Sequence, residues 1–386
     1  MNSTARRGVV VVAAASVAAL SATALAACGS SSGKAAAGGP KSVAVKLTDK
    51  GCEPDTTSID AGPVQFKVTN SGTAAVSEAE LLRGDRILGE KENIVEGLSG
   101  TFTLSLQAGT YQLYCPGGKG AEKVDFVVKG TASPTAPATG AAALEQASAD
   151  YATYVKSQTA ELVTTTKTFT DAVRAGDIVA AKAAYAPARV YYERIEPVAE
   201  SFGDLDPDID ARIGDVDNPA DWTGFHRIEK ALWSDNSLAG MTPIADGLDA
   251  NVNKLNGLVQ TLTYKPEEIA NGASELLDEV GKSKITGEEE DYSHIDLVDF
   301  VANVDGAEQA FAVLEPALQQ IKPDLATTIR DRFTALYAGL KPYQTGSKAT
   351  DYKNYSEVTD DQRKALAALV DALAEPLSTV AGTVVR

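Results

Sequence analysis

The sequence predicts a two-domain, exported protein: a small antiparallel β-sandwich followed by an all-α helical bundle. Three observations carry that prediction. The first 28 residues read as an export signal, short alternating segments fill residues 42–129, and helical spacing takes over from Leu144. A chain of 386 residues can bury a sizeable core without a disulfide scaffold. Its formal net charge of −18 repels nucleic acid and anionic headgroups and favours cations, so nucleic acid is not an expected partner.

The N-terminus, "MNSTARRGVVVVAAASVAALSATALAAC", is a short basic region followed by an uncharged apolar run that ends in small residues. Leu25-Ala26-Ala27-Cys28 resembles the bacterial lipobox, which makes Cys28 the expected lipidation site and residues 1–28 a lipoprotein signal peptide. An uncleaved anchor is the alternative, because Gly8 to Ala27 is about long enough to span a bilayer. Either way the remainder lies outside the cytoplasm, and lipidation would hold it to the outer face of the cell membrane. Residues 29–41, mostly "GSSSGKAAAGGP", form a flexible tether.

Between residues 42 and 129, "SVAVKLT", "VQFKVTN", "TFTLSL", "TYQLYC" and "KVDFVV" alternate or run apolar between glycine-rich turn signals. Short strands at this spacing point to a sandwich. A Pro/Thr/Ala-rich linker at 130–143 separates them from the helical region, 144–386. There Tyr151, Val155, Leu162 and Phe169 fall on one helical face, as do Leu366, Val370, Leu373 and Leu377. Asp177 and Thr359 are expected N-caps, Pro197 is expected to disturb a helix near Glu193, and the whole reads as seven or eight helices.

The chain has two histidines, and one of them, His226 in "ADWTGFHRIEKALWSD", precedes Glu229 by three residues. On a helix that spacing aims an imidazole and a carboxylate the same way. Taken alone the pair is also what a salt-bridged helix-face histidine looks like. Its setting is acidic: Glu193 and Glu196 lie upstream, and Glu275, Glu279, the run Glu288 to Asp291, Asp299 and Glu308 lie downstream. Inward carboxylates from several helices, joined by one imidazole, are how bundles build sites for hard cations. The run at 288–291 reads by itself as a solvated loop.

The stretches "YYERIEPVAESFGDLDPDID", "WTGFHRIEKALW" and "ASELLDEVGKSKITGEEEDYSHIDLVDFVANVDGA" resemble the imelysin-like (M75 peptidase-like) family, in particular the extracytoplasmic component of Efe-type iron-uptake systems. The resemblance covers most of residues 144–386 and implies a cupredoxin-like domain before the helical one. It also implies iron, Fe3+ or Fe2+, as the bound ion, with a membrane iron permease and a haem-peroxidase-like component as partners. The family's HxxE motif falls on His226 and Glu229. Glu193 and Glu289 are the next expected ligands, with Glu196, Glu275 and Asp299 behind them, an oxygen-rich set suited to a hard ion. His294 has no carboxylate three residues on and is expected to be structural or to orient a ligand.

In the β-domain the ligands of a blue-copper site are missing, since it holds neither histidine nor methionine. Two readings of Cys52 and Cys115 stay open. They could close a loop of about sixty residues as a disulfide, worth about 4 kcal/mol in the chain-entropy model, or remain thiolates beside Glu78 and Glu80 in a site for copper or iron. An oxidising compartment favours the first and the family resemblance the second. Neither domain suggests catalysis. A zincin needs a second histidine one turn away, and Lys230 follows Glu229. A metallopeptidase and a non-catalytic interaction protein are the alternatives to an iron carrier.

Overall fold

The computed structural model describes residues 40–385 except 85, 121, 132–138, 217 and 283. The export signal and Cys28 lie outside the described residues. Nine strands come first: β1 (Lys41–Thr48), β2 (Gly51–Pro54), β3 (Ser58–Asp60), β4 (Gly62–Asn70), β5 (Ala79–Arg83), β6 (Arg86–Lys91), β7 (Ser99–Leu106), β8 (Gly109–Tyr114) and β9 (Lys123–Lys129). They form two sheets, ordered β2-β1-β4-β7 and β3-β9-β8-β5-β6. Most neighbours are antiparallel, but β1 with β4 and β3 with β9 run parallel, a pairing that alternation along one strand does not reveal.

Inward positions such as Val43, Val45, Phe66, Leu81, Phe102, Leu113 and Phe126 fill the space between the sheets. The Phe66 ring stacks on Phe102 at 4.9 Å and meets Phe126 edge-on at 5.5 Å. Cys52 on β2 and Cys115 just beyond β8 are joined as a disulfide within this core. It ties one sheet to the other.

The helical part comprises α1 (Ala141–Arg174), α2 (Ile178–Glu193), α3 (Leu205–Asp210), α4 (Gly224–Trp233), α5 (Thr242–Val259), α6 (Pro266–Lys282), α7 (Asp296–Ile321), α8 (Pro323–Leu340), α9 (Asp360–Leu377) and α10 (Val380–Val384). Asp177 caps α2 by accepting from the Ala180 N–H, and Thr359 with Gln362 forms a capping box on α9. The first turns of α7 are buried on every side, from Leu297 to Val304, which makes that end of the helix the axis of the bundle. After Glu193 the chain leaves α2 and resumes as a 3-10 segment, Glu196–Phe202, with Pro197 in its first turn. Gly272 of α6 lies under the Pro197 carbonyl: a Cβ there would overlap that oxygen, so only glycine permits the approach.

The β-domain rests on α6. Lys91 bonds Glu275 at 2.6 Å and Asp278 at 2.5 Å, and the Asn271 amide donates to the Thr103 carbonyl at 2.8 Å. Between the two parts lies an acidic cleft of about 1000 Å³.

Candidate metal centre

Six segments converge below the helical wall of this cleft. The end of α2 supplies Arg189 and Glu193, one turn apart, and the 3-10 segment supplies Glu196. Asp210 ends α3, His226 and Glu229 share a face of α4, and the stretch before α7 brings Lys284, Glu289 and Glu290. Asp299 and Asn303 come from α7 itself. Gly224 opens α4 at φ +79°, where a Cβ would overlap the Ile209 carbonyl. That contact sets His226 beside Asp210.

His226 is held from one side and open on the other. Its Nδ1 lies 3.3 Å from Glu229 Oε2, and Glu229 Oε1 accepts the backbone N–H groups of Tyr292 and Ser293 at 2.9 and 2.7 Å. Among the described residues its buried Nε2 has no hydrogen-bond partner. It lies 3.6 Å from Asp210 and 3.8 Å from Glu289, too far for hydrogen bonds. Donor atoms sharing one small cation at about 2.1 Å each stand roughly 3–4 Å apart. Asp210, His226 and Glu289 therefore have the spacing of a metal site, as do His226, Glu229 and Glu290.

The centre carries its own cations. Arg189, fully buried, pairs with Glu193, Asp210, Glu289, Glu290 and Asp299, the Glu290 contact being 2.7 Å. Lys284 sits 2.6 Å from Glu196 and 3.5 Å from both Glu193 and Glu289. Burial alone would raise Glu289, but Lys284, His226, Arg212 and Arg189 outweigh it and hold its carboxyl at about 2. Burial also works against charge on His226, as does Arg189, yet the bond to Glu229 with Asp210 and Glu289 nearby raises the imidazole above its usual value. Glu290 goes the other way. Burial, then Glu229 and Asp299, push it well above the carboxylate range while Tyr185 and Ser293 donate to its oxygens. Asp299 and Glu196 are raised by burial in the same manner.

The structure brings His226, Glu229, Glu193 and Glu289 into one cluster, with Glu196 at its margin through Lys284 and Asn303 and Asp299 behind Arg189. Glu275 does not join them. It turns to Lys91 and to the Glu92 N–H, because α6 spends that face on the β-domain. The acidic run is not a solvated loop throughout, as Glu289 and Glu290 are buried and only its ends are exposed. His294 takes a left-handed turn, φ +56°, with its N–H on the Glu290 carbonyl and its own carbonyl accepting from Tyr355; its imidazole is exposed. Asp210, Arg189 and Lys284 were not singled out by sequence. The signal for Asp210 was the short acidic "DPDID" beside the histidine helix, whereas buried cations have no signature in composition.

The β-domain set of Cys52, Cys115, Glu78 and Glu80 does not assemble. The cysteines are bonded to each other in the sandwich core, while Tyr114 and Glu80, cross-strand partners, face the cleft on the other side of the sheet. A disulfide offers no thiolate, and with no histidine or methionine in this domain nothing supports copper there.

Residues 147–380 match the imelysin (Peptidase_M75) family and residues 18–124 a cupredoxin-like domain. The chain is 43% identical to the iron uptake system component EfeO of Escherichia coli O1:K1 over 349 residues, 88% of this chain and 90% of that protein. EfeO of Shigella flexneri is 42% identical over the same span. The crystal structure described as that of an iron-regulated protein A precursor from Parabacteroides distasonis superposes with a TM-score of 0.51 at 17% identity, covering 65% of this chain and 97% of that one, a likeness of fold. With its β-domain ahead of the helical bundle, the chain belongs to the imelysin family, among the EfeO-type members.

Proposed function

We propose that the chain captures iron outside the cytoplasm and passes it to a membrane permease, as an exported protein anchored through lipid on Cys28. The names of its relatives, iron uptake system components, support the cargo. The observation that carries the site is the buried, unpartnered Nε2 of His226, aimed between Asp210 and Glu289. Both acids also line the cleft, so the site has a way in. Iron is the substrate of this reading, and a haem-peroxidase-like component of the same system is its second partner.

In this account His226, Asp210 and Glu289 are the ligands, and Glu229 fixes the imidazole. A carboxylate on the far nitrogen sets the tautomer and raises ligand basicity. The second grouping is less suited, because the oxygens of Glu229 and Glu290 already have partners. Arg189 and Lys284 keep the carboxylates placed while no ion is bound, and an entering cation takes over part of their work. Glu193 and Glu196 receive the displaced positive charge. A hard ion fits a set that is mostly oxygen, and binding expels the imidazole proton. The peptidase alternative draws no support from α4, where the residue after Glu229, Lys230, pairs with Asp235 at 2.6 Å.

The test is iron titration of single variants. His226→Ala abolishes high-affinity binding with the helical circular dichroism unchanged, and Glu229→Gln weakens it by about 10–100-fold, as for other carboxylates that orient a ligating histidine. Parent-like affinity in both variants would refute the assignment.

A further inference from the structure

The connection from β6 to β7 contains a turn that is built rigidly and yet shows apolar side chains to solvent. Among the described residues the exposed large aliphatics are Val95, Leu98, Val127 and Val179, the first two at 59% and 50% exposure. A single exposed aliphatic is ordinary. Val95 and Leu98 are a pair, because the Leu98 N–H donates to the Val95 carbonyl at 2.9 Å and closes a turn that keeps their Cα atoms within about 7 Å. Glu96 and Gly97 between them are also exposed.

Asn70, buried at the end of β4, holds this turn in place. Its backbone N–H donates to the Leu98 carbonyl at 3.0 Å, and its carbonyl accepts from the Gly97 N–H at 3.1 Å. Its side-chain Nδ2 lies 2.8 Å from the Thr73 and Ile94 carbonyls and 3.1 Å from that of Val76, while Oδ1 accepts from the Gly72 and Thr73 N–H groups. Ile94 is anchored in the sandwich core, and Asn93 takes a left-handed φ of +53°, which asparagine tolerates. A turn fixed in this way loses little freedom when it is covered, so its two aliphatics are ready-made contacts.

The turn borders the cleft, since Ser77, Glu78, Glu92 and Asn93, which flank the two loops joined by Asn70, line it. Residues 70–78 and 92–99 contain the acids Glu78, Glu92 and Glu96 and neither lysine nor arginine. We propose that Val95 and Leu98 are the apolar centre of a docking surface for a protein partner that offers an apolar socket edged with lysine or arginine. An anionic lipid surface does not fit, because the acids repel it. In the hand-off proposed above that partner is the extracytoplasmic face of the permease, and this assignment rests on that reading. A partner seated on the turn lies against the cleft from which Asp210 and Glu289 are reached.

Photo-cross-linking in cells tests the surface on the full, exported chain beside an epitope-tagged permease of the same uptake system. With Val95 or Leu98 replaced by benzoylphenylalanine the chain couples to the permease, and with Val127 or Val179 replaced it does not. Val95→Ser/Leu98→Ser lowers uptake from limiting iron about 10-fold or more, as loss of central interface contacts does. The purified variant titrates iron and melts as the parent does, because the substitutions are on the surface. Glu96→Lys lowers uptake in the same direction. Coupling from Val127 or Val179 positions but not from Val95 or Leu98 overturns the docking surface and leaves the hand-off standing. Coupling of the turn to lipid or to a second copy of the chain instead of the permease, or parent-like uptake by the double variant, does the same. Parent uptake that is equal with and without the permease contradicts the hand-off itself and, with it, the assignment of this partner.

Discussion

The two acidic groups that face each other across the cleft are balanced in opposite ways. Around His226 the carboxylates are met by Arg189, Lys284 and Arg212, and Glu289 is held ionised at about 2. On the β5–β6 hairpin Glu80 has no such partner among the described residues. Burial first, then Glu78, raise it to about 8, and Lys123 offsets only part of this. A site with resident cations is preorganised, so ligands stay charged and placed before the ion arrives. A buried group without them is driven toward its protonated, neutral form.

Removing the balance from the first group has the largest expected effect. Arg189→Leu leaves five carboxylates facing an apolar side chain, and breaking buried pairs by deleting one partner costs about 3–5 kcal/mol. Chemical denaturation would show this as a lower midpoint with little change in slope. A parent-like midpoint would mean that the arginine does not hold the group together. Glu80→Gln acts in the other direction and more weakly. It stabilises the metal-free protein near neutral pH by on the order of 1–2 kcal/mol, because a tenfold change in a protonation equilibrium is worth about 1.4 kcal/mol.

Acid separates the two groups further. Glu80 titrates at about 8 in the fold against 4.5 for the free side chain, so the folded state binds the extra proton between those values. Its stability contribution is complete below 4.5 and is lost as pH rises toward 8. Glu289 behaves inversely: its contribution is present above 4.5 and disappears as pH falls toward about 2. Thermal melts of the metal-free parent and of Glu80→Gln, compared from about pH 5 to 8, should diverge as pH rises, and Glu289→Gln should flatten the acid limb alone. Parallel curves for all three proteins would contradict the contrast.

Much of this architecture could be read in advance, and the exceptions share a cause. Helical periodicity, the caps at Asp177 and Thr359 and the five core strands follow from local chemistry. The β5 and β6 strands escaped because "AELLR" and "RILGEK" carry charges that look like a loop, and two of them, Glu80 and Glu90, face the cleft. His226, Glu229, Glu193 and Glu289 were accessible through helix spacing and family likeness. Asp210 needed the close approach at Gly224, which is a tertiary fact. Glu275 was misplaced since nothing in its own neighbourhood reveals that Lys91, 184 residues away, claims it. The burial of Glu289 and Glu290 likewise depends on Arg189 and Lys284, partners that composition counts but does not locate.

The most direct measurement is anomalous diffraction at the iron edge from crystals of the iron-loaded full chain. The account predicts a peak within bonding distance of His226 Nε2 and of oxygens from Asp210 and Glu289. Iron bound elsewhere, with His226 Nε2 still unligated, would contradict it.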